Sequence, residues 1–401
     1  MGDSDKVNTF ALSDRSNESR ETDHGVLTQR ILMSGMVKSH HSLLNPEHNQ
    51  RKEINDFDYE GHKRKLDEKV SKFRKRTYSD DVNKVVQQII EILTAKRYRR
   101  GPKKNFEVAR SDYEERLGKS VSKKEKLLLI LPSFPVKCWN PLKVERKMPD
   151  LAEIQCISRL YLLCKEIEHV YEPGAKVILI ADVPIYAPIF AEPLNVALQY
   201  KSEVIGFINK LNIGQYIIMG DMIDLIAQFS SEFEVAKRNA KIQVETFWHE
   251  NPNDKHRIML LENTHSNINL TAYSKEILRA IFFNTPYIRS DELDIAKDEI
   301  TRQTNKSALE YAILLQAINS MELIMKCYPD GIRVTCHPKP GQLGLHLLSP
   351  KSCFNFPWNG VGVLKKNGDI RVSLEDEVKR DKRYVAVYIK NDSFPFYYEE
   401  Q

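Results

Sequence analysis

Three short apolar runs, separated by longer helical stretches, restrict the fold of this chain more than any other feature. The runs at 127–131, 176–181 and 215–219 are continuous rather than alternating, which is typical of strands buried on both faces of a parallel sheet. Helical patterns occupy 151–170 and 195–211 between them. Strand and helix therefore alternate along the chain, and this order predicts an α/β fold with a doubly wound sheet.

Further elements are predicted on either side of this core. A helix at 81–93 has apolar residues at helical spacing and an aspartate at its start. The run 257–261 predicts an additional strand, and 305–326 predicts a long helix. The C-terminal part is strand-rich, with short strands between turn residues predicted at 332–336, 343–348, 360–365, 370–373 and 384–389.

Residues 1–80 differ in composition from the rest of the chain, being rich in Ser, Asn, Asp, His, Lys and Arg. Such a segment buries too little apolar surface to offset its ordering entropy. We therefore predict a polar, partly disordered N-terminal arm at 1–80 and one catalytic domain at 81–401. The basic clusters 63–65 and 74–76 leave open a nuclear signal or a polyanion-binding patch, although a solvated arm is the simpler interpretation.

Composition and motifs disfavour several classes of protein. The 60 basic and 55 acidic side chains give a net charge of +5, too nearly balanced to indicate nucleic-acid binding. The six cysteines form no C-x-x-C pair and no zinc spacing, as expected of reduced thiols in a cytoplasmic protein. The polar N-terminus lacks the apolar part of a secretory signal, and no run is long enough to span a membrane. The absence of G-x-G-x-x-G and P-loop motifs disfavours a dinucleotide-binding dehydrogenase or a P-loop enzyme.

The loop after the first strand carries an unusual set of polar residues. Ligands of a doubly wound sheet bind beyond the carboxyl ends of its strands. Serine and lysine at such a position can hold a phosphate by hydrogen bonds and charge, and exposed loop lysines are the alternative explanation. The candidate residues of this loop are Ser133, Lys137, Asn140 and Lys143. Asp182 follows the second strand, where a buried carboxylate is costly unless it is paired, so a functional and a structural role are equally open.

The predicted strand 332–336 places a polar set of side chains on one face. By the period of two, Arg333 and Thr335 share this face with His337. An unpaired arginine is expensive in a core strand, so these side chains either line a site or belong to a solvated edge strand. The turn that follows adds Trp358, either as an aromatic wall or as ordinary core.

Taken in order, several short motifs resemble the isocyanide (isonitrile) synthase family, also called the pyoverdine/dityrosine biosynthesis protein family. Each motif is short, but their order and spacing over most of residues 80–375 make the resemblance specific. The segments that carry it are 131–137 (LPSFPVK), 140–143 (NPLK), 149–153 (PDLAE), 171–177 (YEPGAKV), 328–333 (YPDGIR), 337–338 (HP) and 357–361 (PWNGV).

The resemblance implies a Rossmann-like core and a reaction between the amine of an aromatic amino acid, of tyrosine or tryptophan type, and ribulose 5-phosphate. The ketone carbon of the sugar is expected to become the isonitrile carbon. Neither a metal nor an organic cofactor is implied, and the product is often passed to a partner iron- and 2-oxoglutarate-dependent oxygenase. Cationic anchors for the sugar phosphate are expected among Lys137, Lys143, Arg333 and Lys339.

Amine attack on a ketone requires removal of a proton from the ammonium group. His337 is the predicted base because an imidazole titrates at about 6.5, and Asp182 is expected to orient that base or to hold the ammonium. A Schiff base between a lysine and the ketone is a less favoured alternative. The predicted catalytic residues are His337, Arg333, Lys137 and Asp182, and the predicted substrate-binding residues are Ser133, Asn140, Lys143, Lys339, Trp358 and Asn359.

Three departures from the family pattern fall near the expected pocket. Residues 183–184 are Val-Pro where the family usually continues with Gly-Arg after the aspartate, and Gln-Ala at 316–317 replaces an Arg-Ser pair. Asn359 stands where a histidine is common, and an asparagine cannot act as an acid or base at neutral pH. A non-catalytic or repurposed binding protein of the same fold is therefore a second hypothesis. Another Rossmann-type transferase acting on a small amine is the third.

Overall fold

The fold is given by a computed structural model that describes residues 50–73, 78–140, 143–265, 267–283 and 290–401. The first 49 residues of the predicted arm and its basic cluster 74–76 lie outside the described residues. The strands are β1 (Arg51–Ile54), β2 (Arg99–Arg100), β3 (Leu127–Pro132), β4 (Ala175–Ala181), β5 (Ile217–Asp221), β6 (Ile332–Thr335), β7 (Leu343–Leu345), β8 (Val361–Leu364), β9 (Ile370–Ser373), β10 (Tyr384–Ile389) and β11 (Tyr397–Glu400).

The helices alternate with these strands, which confirms the predicted α/β class. They are α1 (Tyr59–Ser71), α2 (Val82–Leu93), α3 (Lys103–Glu107), α4 (Arg110–Ser122), α5 (Leu151–Glu168), α6 (Val183–Ile189), α7 (Leu194–Lys210), α8 (Met222–Gln228), α9 (Ser230–Glu250), α10 (Lys255–His265), α11 (Lys275–Phe283), α12 (Ser290–Ser320), α13 (Leu323–Cys327) and α14 (Glu375–Arg380). A short 3-10 turn spans Pro357–Asn359.

The central sheet has the strand order β2-β7-β6-β3-β4-β5. Its neighbours are parallel except for β2, which is antiparallel to β7. The three apolar runs form β3, β4 and β5, as predicted. Leu129 of β3 packs into the core on one face of the sheet and Ile130 into the core on the other face. Because both faces are covered, the runs are continuous rather than alternating.

The order in which the chain adds strands to the central sheet reverses between β3 and β6. The chain runs outward from β3 to β4 and β5, then returns to the other side of β3 to form β6 and β7. Loops on the two sides of such a switch point diverge and leave a crevice where ligands bind in open α/β sheets. Ser133 follows β3 and His337 comes shortly after β6, so both belong to this edge of the sheet.

The second sheet, ordered β1-β10-β11-β8-β9, includes residues from the predicted arm. Strand β1 pairs in parallel with β10, and α1 packs on α5, where His62 Nε2 lies 2.9 Å from Ser158 Oγ. Residues 51–71 therefore belong to the folded body, so the arm predicted over 1–80 does not extend across them. Composition misled the prediction because α1 is mostly polar and is held by few buried side chains, Tyr59 among them.

Two other predicted elements differ from the structure. Residues 257–261, predicted as a strand, lie within α10, whose first turn is capped by the carboxylate of Asp254. A short apolar run does not distinguish a strand from a helix. The helix predicted at 305–326 begins earlier, as α12, and ends at Ser320, because Glu322 adopts a left-handed φ of 48° before α13. Sequence patterns also do not predict β11 or α14.

Membrane spans and disulfides can be assessed over the part of the chain that the structure describes. No helix there is both long and apolar enough to cross a lipid bilayer. All six cysteines fall within this part, and each is a free thiol.

Candidate active site

Stacked aromatic rings lie against the imidazole of His337, and this region, formed by His337, Phe356 and Trp358, is called the His337 recess. The His337 ring lies 4.7 Å from the Phe356 ring, which stacks on Trp358 at 5.1 Å with 8° between the ring planes. The Trp358 ring contacts the Phe134 ring at 5.6 Å. His337 remains exposed to solvent, and its backbone N–H donates to Thr335 Oγ1 at 3.0 Å. Trp358 therefore belongs to an aromatic wall that reaches the imidazole.

Phe134 has a strained backbone two residues after β3. Its φ is +63°, in the left-handed region that bulky side chains rarely adopt, and its ring is fully buried. The preceding Ser133 is also buried, and its N–H donates to the Ile180 carbonyl at 3.1 Å. Strain of this kind costs on the order of 1–3 kcal/mol and clusters at functional sites. Its position at the crevice supports a functional role for this loop.

Positive charge surrounds the imidazole of His337. Partial desolvation by the surrounding protein, followed by the charges of Arg100 and Lys339, lowers the pKa of His337 to about 4, although the side chain keeps contact with solvent. The ring is therefore neutral at pH 7 and can accept a proton. With so low a pKa it is a weak base, and an anion bound near Arg100 and Lys339 would strengthen it by offsetting their charge.

Asp182 is a buried carboxyl at the end of β4. Desolvation raises its pKa well above the ordinary value, and its Oδ1 has no hydrogen-bond partner among the described residues. Its charge also contributes, after burial, to the raised pKa values of Tyr311 and Cys336. The carboxyl therefore lies within electrostatic range of Cys336, the residue that directly precedes His337. A buried carboxyl of this kind can bind an ammonium group or exchange a proton.

Lys137 lies in a closed ionic network. Its ammonium is fully buried and donates to Asp150 Oδ2 at 2.8 Å and to Glu153 Oε2 at 3.2 Å. Burial lowers the pKa of Lys137, but the two carboxylates outweigh it, so the pKa is raised. Tyr200 donates to Glu153 Oε1 at 3.1 Å, and burial raises the pKa of Glu153. Lys137 therefore ties its loop to the start of α5, where Asp150 and Glu153 form a capping box.

Lys143 and Asn140 are buried as well, each with 3% of its surface exposed. The alternative of exposed loop lysines is therefore wrong for both Lys137 and Lys143. Burial, countered in part by Cys138, lowers the pKa of Lys143 to about 7. Such an amine is partly neutral at pH 7, which the Schiff-base alternative requires. The charge of Lys143 also contributes, after burial, to the lowered pKa of His265 at the end of α10.

Arg333 lies near the start of β6, before the end that leads to His337. Strand β6 is interior, between β3 and β7, so the edge-strand alternative is wrong. Burial alternates along β6, and Arg333 and Thr335 share the partly exposed face, as predicted. The guanidinium donates to Asn319 Oδ1 at 3.3 Å, and its Nε has no partner among the described residues. Arg333 thus contacts the end of α12.

The departures at 183–184 and Asn359 have clear structural settings. Asp182 is the N-cap position of α6, and Pro184 lies in its first turn, where a proline is favourable because its missing N–H would have had no partner. The chain therefore enters a helix directly after Asp182. Asn359 ends the turn that carries Trp358, and its Oδ1 is buried with no partner among the described residues. This amide oxygen is available to a ligand.

Arg100 acts on the recess, and the sequence patterns do not reveal it. In the sequence Arg100 lies in a short basic stretch that follows the helix predicted at 81–93. In the structure it lies on β2, with its guanidinium 4.8 Å from the centre of the Phe356 ring. The pairing of Arg100 with Gly344 brings it there, and no periodicity indicates that pairing.

The structure thus brings some predicted residues together and separates others. Those that line the recess or act on it through charge are His337, Trp358, Asn359, Lys339 and Asp182. Those whose contacts lie elsewhere are Ser133, Lys137, Asn140, Lys143 and Arg333. Within the described ranges, no group of three or more His, Cys, Asp and Glu side chains is arranged to hold a metal ion.

These features define an α/β protein with an enzyme-like site for a small polar ligand. They are a mostly parallel sheet with a switch-point crevice, a neutral histidine, a buried carboxyl and two nearby cations. Residues 117–386 match the family described as "Pyoverdine/dityrosine biosynthesis protein", and the chain belongs to that family. The match covers more than half of the chain and confirms the resemblance seen in the short motifs.

Relatives with curated names support the same grouping. The chain is 24% identical over 256 residues to the L-tyrosine isonitrile synthase of Xenorhabdus nematophila, which covers 62% of this chain and 71% of that protein. It is 23% identical over 258 residues to the L-tryptophan isonitrile synthase AmbI1 of Fischerella ambigua, covering 60% and 71%. The crystal structure of the PvcA protein from Pseudomonas aeruginosa aligns with a TM-score of 0.60 at 19% identity, covering 79% of this chain and 100% of that one, and shows the same fold.

Proposed function

We propose that this chain is an isonitrile synthase that condenses the amine of a tyrosine- or tryptophan-type amino acid with ribulose 5-phosphate. The observation that carries the proposal is family membership combined with a neutral imidazole on which two cations act. A buried carboxyl acts on the adjacent Cys336. The relatives named as tyrosine and tryptophan isonitrile synthases support the reaction class. A Rossmann-like core is part of the proposal, supported by the direction change between β3 and β6.

The first chemical step assigns a role to each group of the recess. The amino-acid ammonium must lose a proton before its nitrogen can attack the ketone carbon. Asp182 is proposed to hold the ammonium, and His337 to take the proton. The nitrogen then forms a bond to the ketone carbon, and the carbonyl oxygen leaves as water to give an imine. The wall around Trp358 packs against the aromatic side chain, and Asn359 Oδ1 accepts a hydrogen bond from a substrate donor.

The proposal also includes the binding of the sugar phosphate and the cofactor requirement. Lys339 contributes positive charge for the sugar phosphate, and no metal or organic cofactor takes part. A cytoplasmic location and a partner iron- and 2-oxoglutarate-dependent oxygenase that consumes the isonitrile remain predictions that follow from the family resemblance.

A labelling experiment tests the reaction. The purified protein is incubated with tyrosine or tryptophan and with ribulose 5-phosphate that carries ¹³C at carbon 2, and products are analysed by mass spectrometry. The isonitrile is expected to carry the label, whereas sugar labelled at carbon 5 should give an unlabelled product. If the protein is folded but no amino acid is consumed together with the sugar phosphate, the proposed function is wrong.

A second candidate function is supported by Asn359 and by the helix that begins at residues 183–184. Both replace residues that the family pattern usually carries, so the chain is alternatively a binding protein of the same fold. Saturable binding of ribulose 5-phosphate without turnover would favour this candidate, and rapid turnover would exclude it. Binding of S-adenosylmethionine would instead favour another transferase.

A further inference from the structure

Arg100 comes from a part of the chain that the family match does not include. The match begins at residue 117, whereas β2 is contributed by residues 99–100 at the edge of the central sheet. The pairing of Arg100 with Gly344 of β7 adds this strand beside the loop that carries His337. The recess is therefore completed by a segment that the family pattern does not describe.

Two glycines allow β2 to approach this loop closely. A Cβ on Gly344 would lie 2.6 Å from the Pro338 ring and closer still to the carbonyl oxygen of Arg100. A Cβ on Gly101 would lie 2.9 Å from the same ring, and the φ of +79° at this residue also favours glycine. Because Pro338 directly follows His337, these contacts place the backbone of β2 against the loop that carries the imidazole.

The guanidinium of Arg100 is partly buried and has no anion beside it among the residues that the structure describes. It lies over the face of Phe356, whose ring also contacts His337. Its Nη1 is buried without a hydrogen-bond partner, and no carboxylate in the described part of the chain forms an ion pair with it. Burial lowers the pKa of Arg100, an effect countered by the Cys336 thiol. An unpaired charge that is partly removed from water costs free energy that an anionic ligand would recover.

The nearby Arg97 shows how an arginine of the same segment behaves when it is compensated. Its guanidinium forms an ion pair with Glu166, which also accepts the Tyr98 hydroxyl at 3.0 Å. That pair lies on the surface of α5. Arg97, which has a carboxylate partner, is therefore a suitable control for Arg100, which has none among the described residues.

We propose that Arg100 binds the phosphoryl group of the sugar phosphate above Phe356 and thereby places the sugar beside His337. Guanidinium groups suit this role because they donate two parallel hydrogen bonds to phosphate oxygens. The anion then offsets the positive charge that acts on the imidazole, so binding of the sugar phosphate makes His337 a stronger base. This inference rests on the proposed function for the identity of the sugar, but not for the binding of a phosphoryl anion.

Binding measurements test the proposal independently of turnover. Calorimetric titration with inorganic phosphate and with ribulose 5-phosphate compares the wild type with Arg100→Gln, Arg100→Lys and the control Arg97→Gln. We expect Arg100→Gln to weaken the binding of both ligands by about 10- to 100-fold, because the substitution removes a hydrogen bond to a charged group. Arg100→Lys should retain part of the affinity, and Arg97→Gln should change it by less than about twofold. Equal affinity of folded wild type and Arg100→Gln would overturn the proposal.

Steady-state kinetics separate anion binding from a purely structural role. With turnover, Arg100→Gln should raise KM for the sugar phosphate and leave KM for the amino acid nearly unchanged. It should also move the acid limb of the kcat/KM profile to higher pH, since loss of the positive charge raises the pKa of His337 in the free enzyme. Equal changes in both KM values with an unmoved acid limb would overturn the assignment. If the wild type binds phosphate but forms no isonitrile, the proposed function fails while the role of Arg100 stands.

Discussion

The Lys137 network and the His337 recess follow neighbouring strands of one sheet, yet they differ in whether their buried polar groups have partners. In the network, the ammonium of Lys137 meets two carboxylates and Tyr200 completes the set. Around the recess, Asp182 Oδ1, Asn359 Oδ1 and Arg100 Nη1 are buried without partners among the described residues. Buried polar groups are normally satisfied, so such exceptions require an explanation. The comparison indicates that the paired charges of the Lys137 network stabilise the fold. The polar atoms around the recess that have no partner are available to bind a ligand.

The largest expected effect comes from breaking the compensated network. Lys137→Met leaves two buried carboxylates without their cation, and we expect it to lower the free energy of unfolding by about 3–5 kcal/mol. Urea unfolding measures this loss. The control Lys119→Gln removes a lysine from an exposed pair with Glu115 on α4 and should cost less than about 1 kcal/mol. Full stability with lost turnover would instead place Lys137 in the catalytic machinery, as its sequence position first indicated.

Removal of the imidazole should have the converse result. His337→Ala is expected to lower kcat by about 100-fold or more, the contribution of a positioned base, while stability changes little because the side chain is exposed. Isonitrile formation and thermal unfolding are measured together. The control His169→Ala removes a histidine on the far helix end of α5, where its ring bonds the Lys165 carbonyl, and should leave kcat unchanged. A loss of stability in His337→Ala that matches its loss of rate would contradict the comparison.

The effect of Asp182 on the stability of the folded protein depends on pH. Its pKa in the folded state is raised, so the unfolded state loses the proton first as pH rises, and folding is penalised above about pH 3.9. Asp182→Asn should therefore increase stability at pH 7, and the gain should vanish toward pH 3–4. Turnover should fall in the same variant. Unfolding curves across this pH range measure the effect.

A matched aspartate tests this sign. Asp221 ends the neighbouring strand β5 and forms an ion pair with Lys201. We expect Asp221→Asn to lower stability at pH 7 or leave it unchanged, since it removes an attractive interaction. If both variants stabilise the protein equally, strand-end carboxylates in general are unfavourable here, and Asp182 has no special status.

The smallest expected effect concerns Asn359. Asn359→His restores the residue that the family commonly carries and exchanges one hydrogen-bonding group for another, so we expect kcat/KM to change by less than about tenfold. The ratio of tyrosine to tryptophan turnover is the sensitive measurement, because Asn359 follows Trp358 in the wall. A rise of several orders of magnitude would show that the native chain had lost most of its activity through this substitution.

Local patterns predicted the elements that build the core of the fold. Continuous apolar runs located β3, β4 and β5, and the period of two placed Arg333 and Thr335 on one face of β6. Patterns failed where tertiary contacts decide the outcome. Residues 257–261 are apolar enough for a strand but form part of α10, and residues 51–71 are polar yet pack on α5 and β10.

The candidate site was predictable to the same degree and for the same reason. The sequence by itself determined which polar residues stand at strand ends, because strand length and side-chain alternation are local properties of the backbone. The tertiary structure alone decided which of these charges are compensated. The sequence position of Lys137 predicts a ligand-binding lysine, whereas the structure pairs its ammonium with Asp150 and Glu153. The sequence shows Arg100 only as one residue of a basic stretch after a helix, whereas the pairing of β2 with β7 sets it over Phe356. Charge compensation depends on contacts between distant segments, and no local pattern records them.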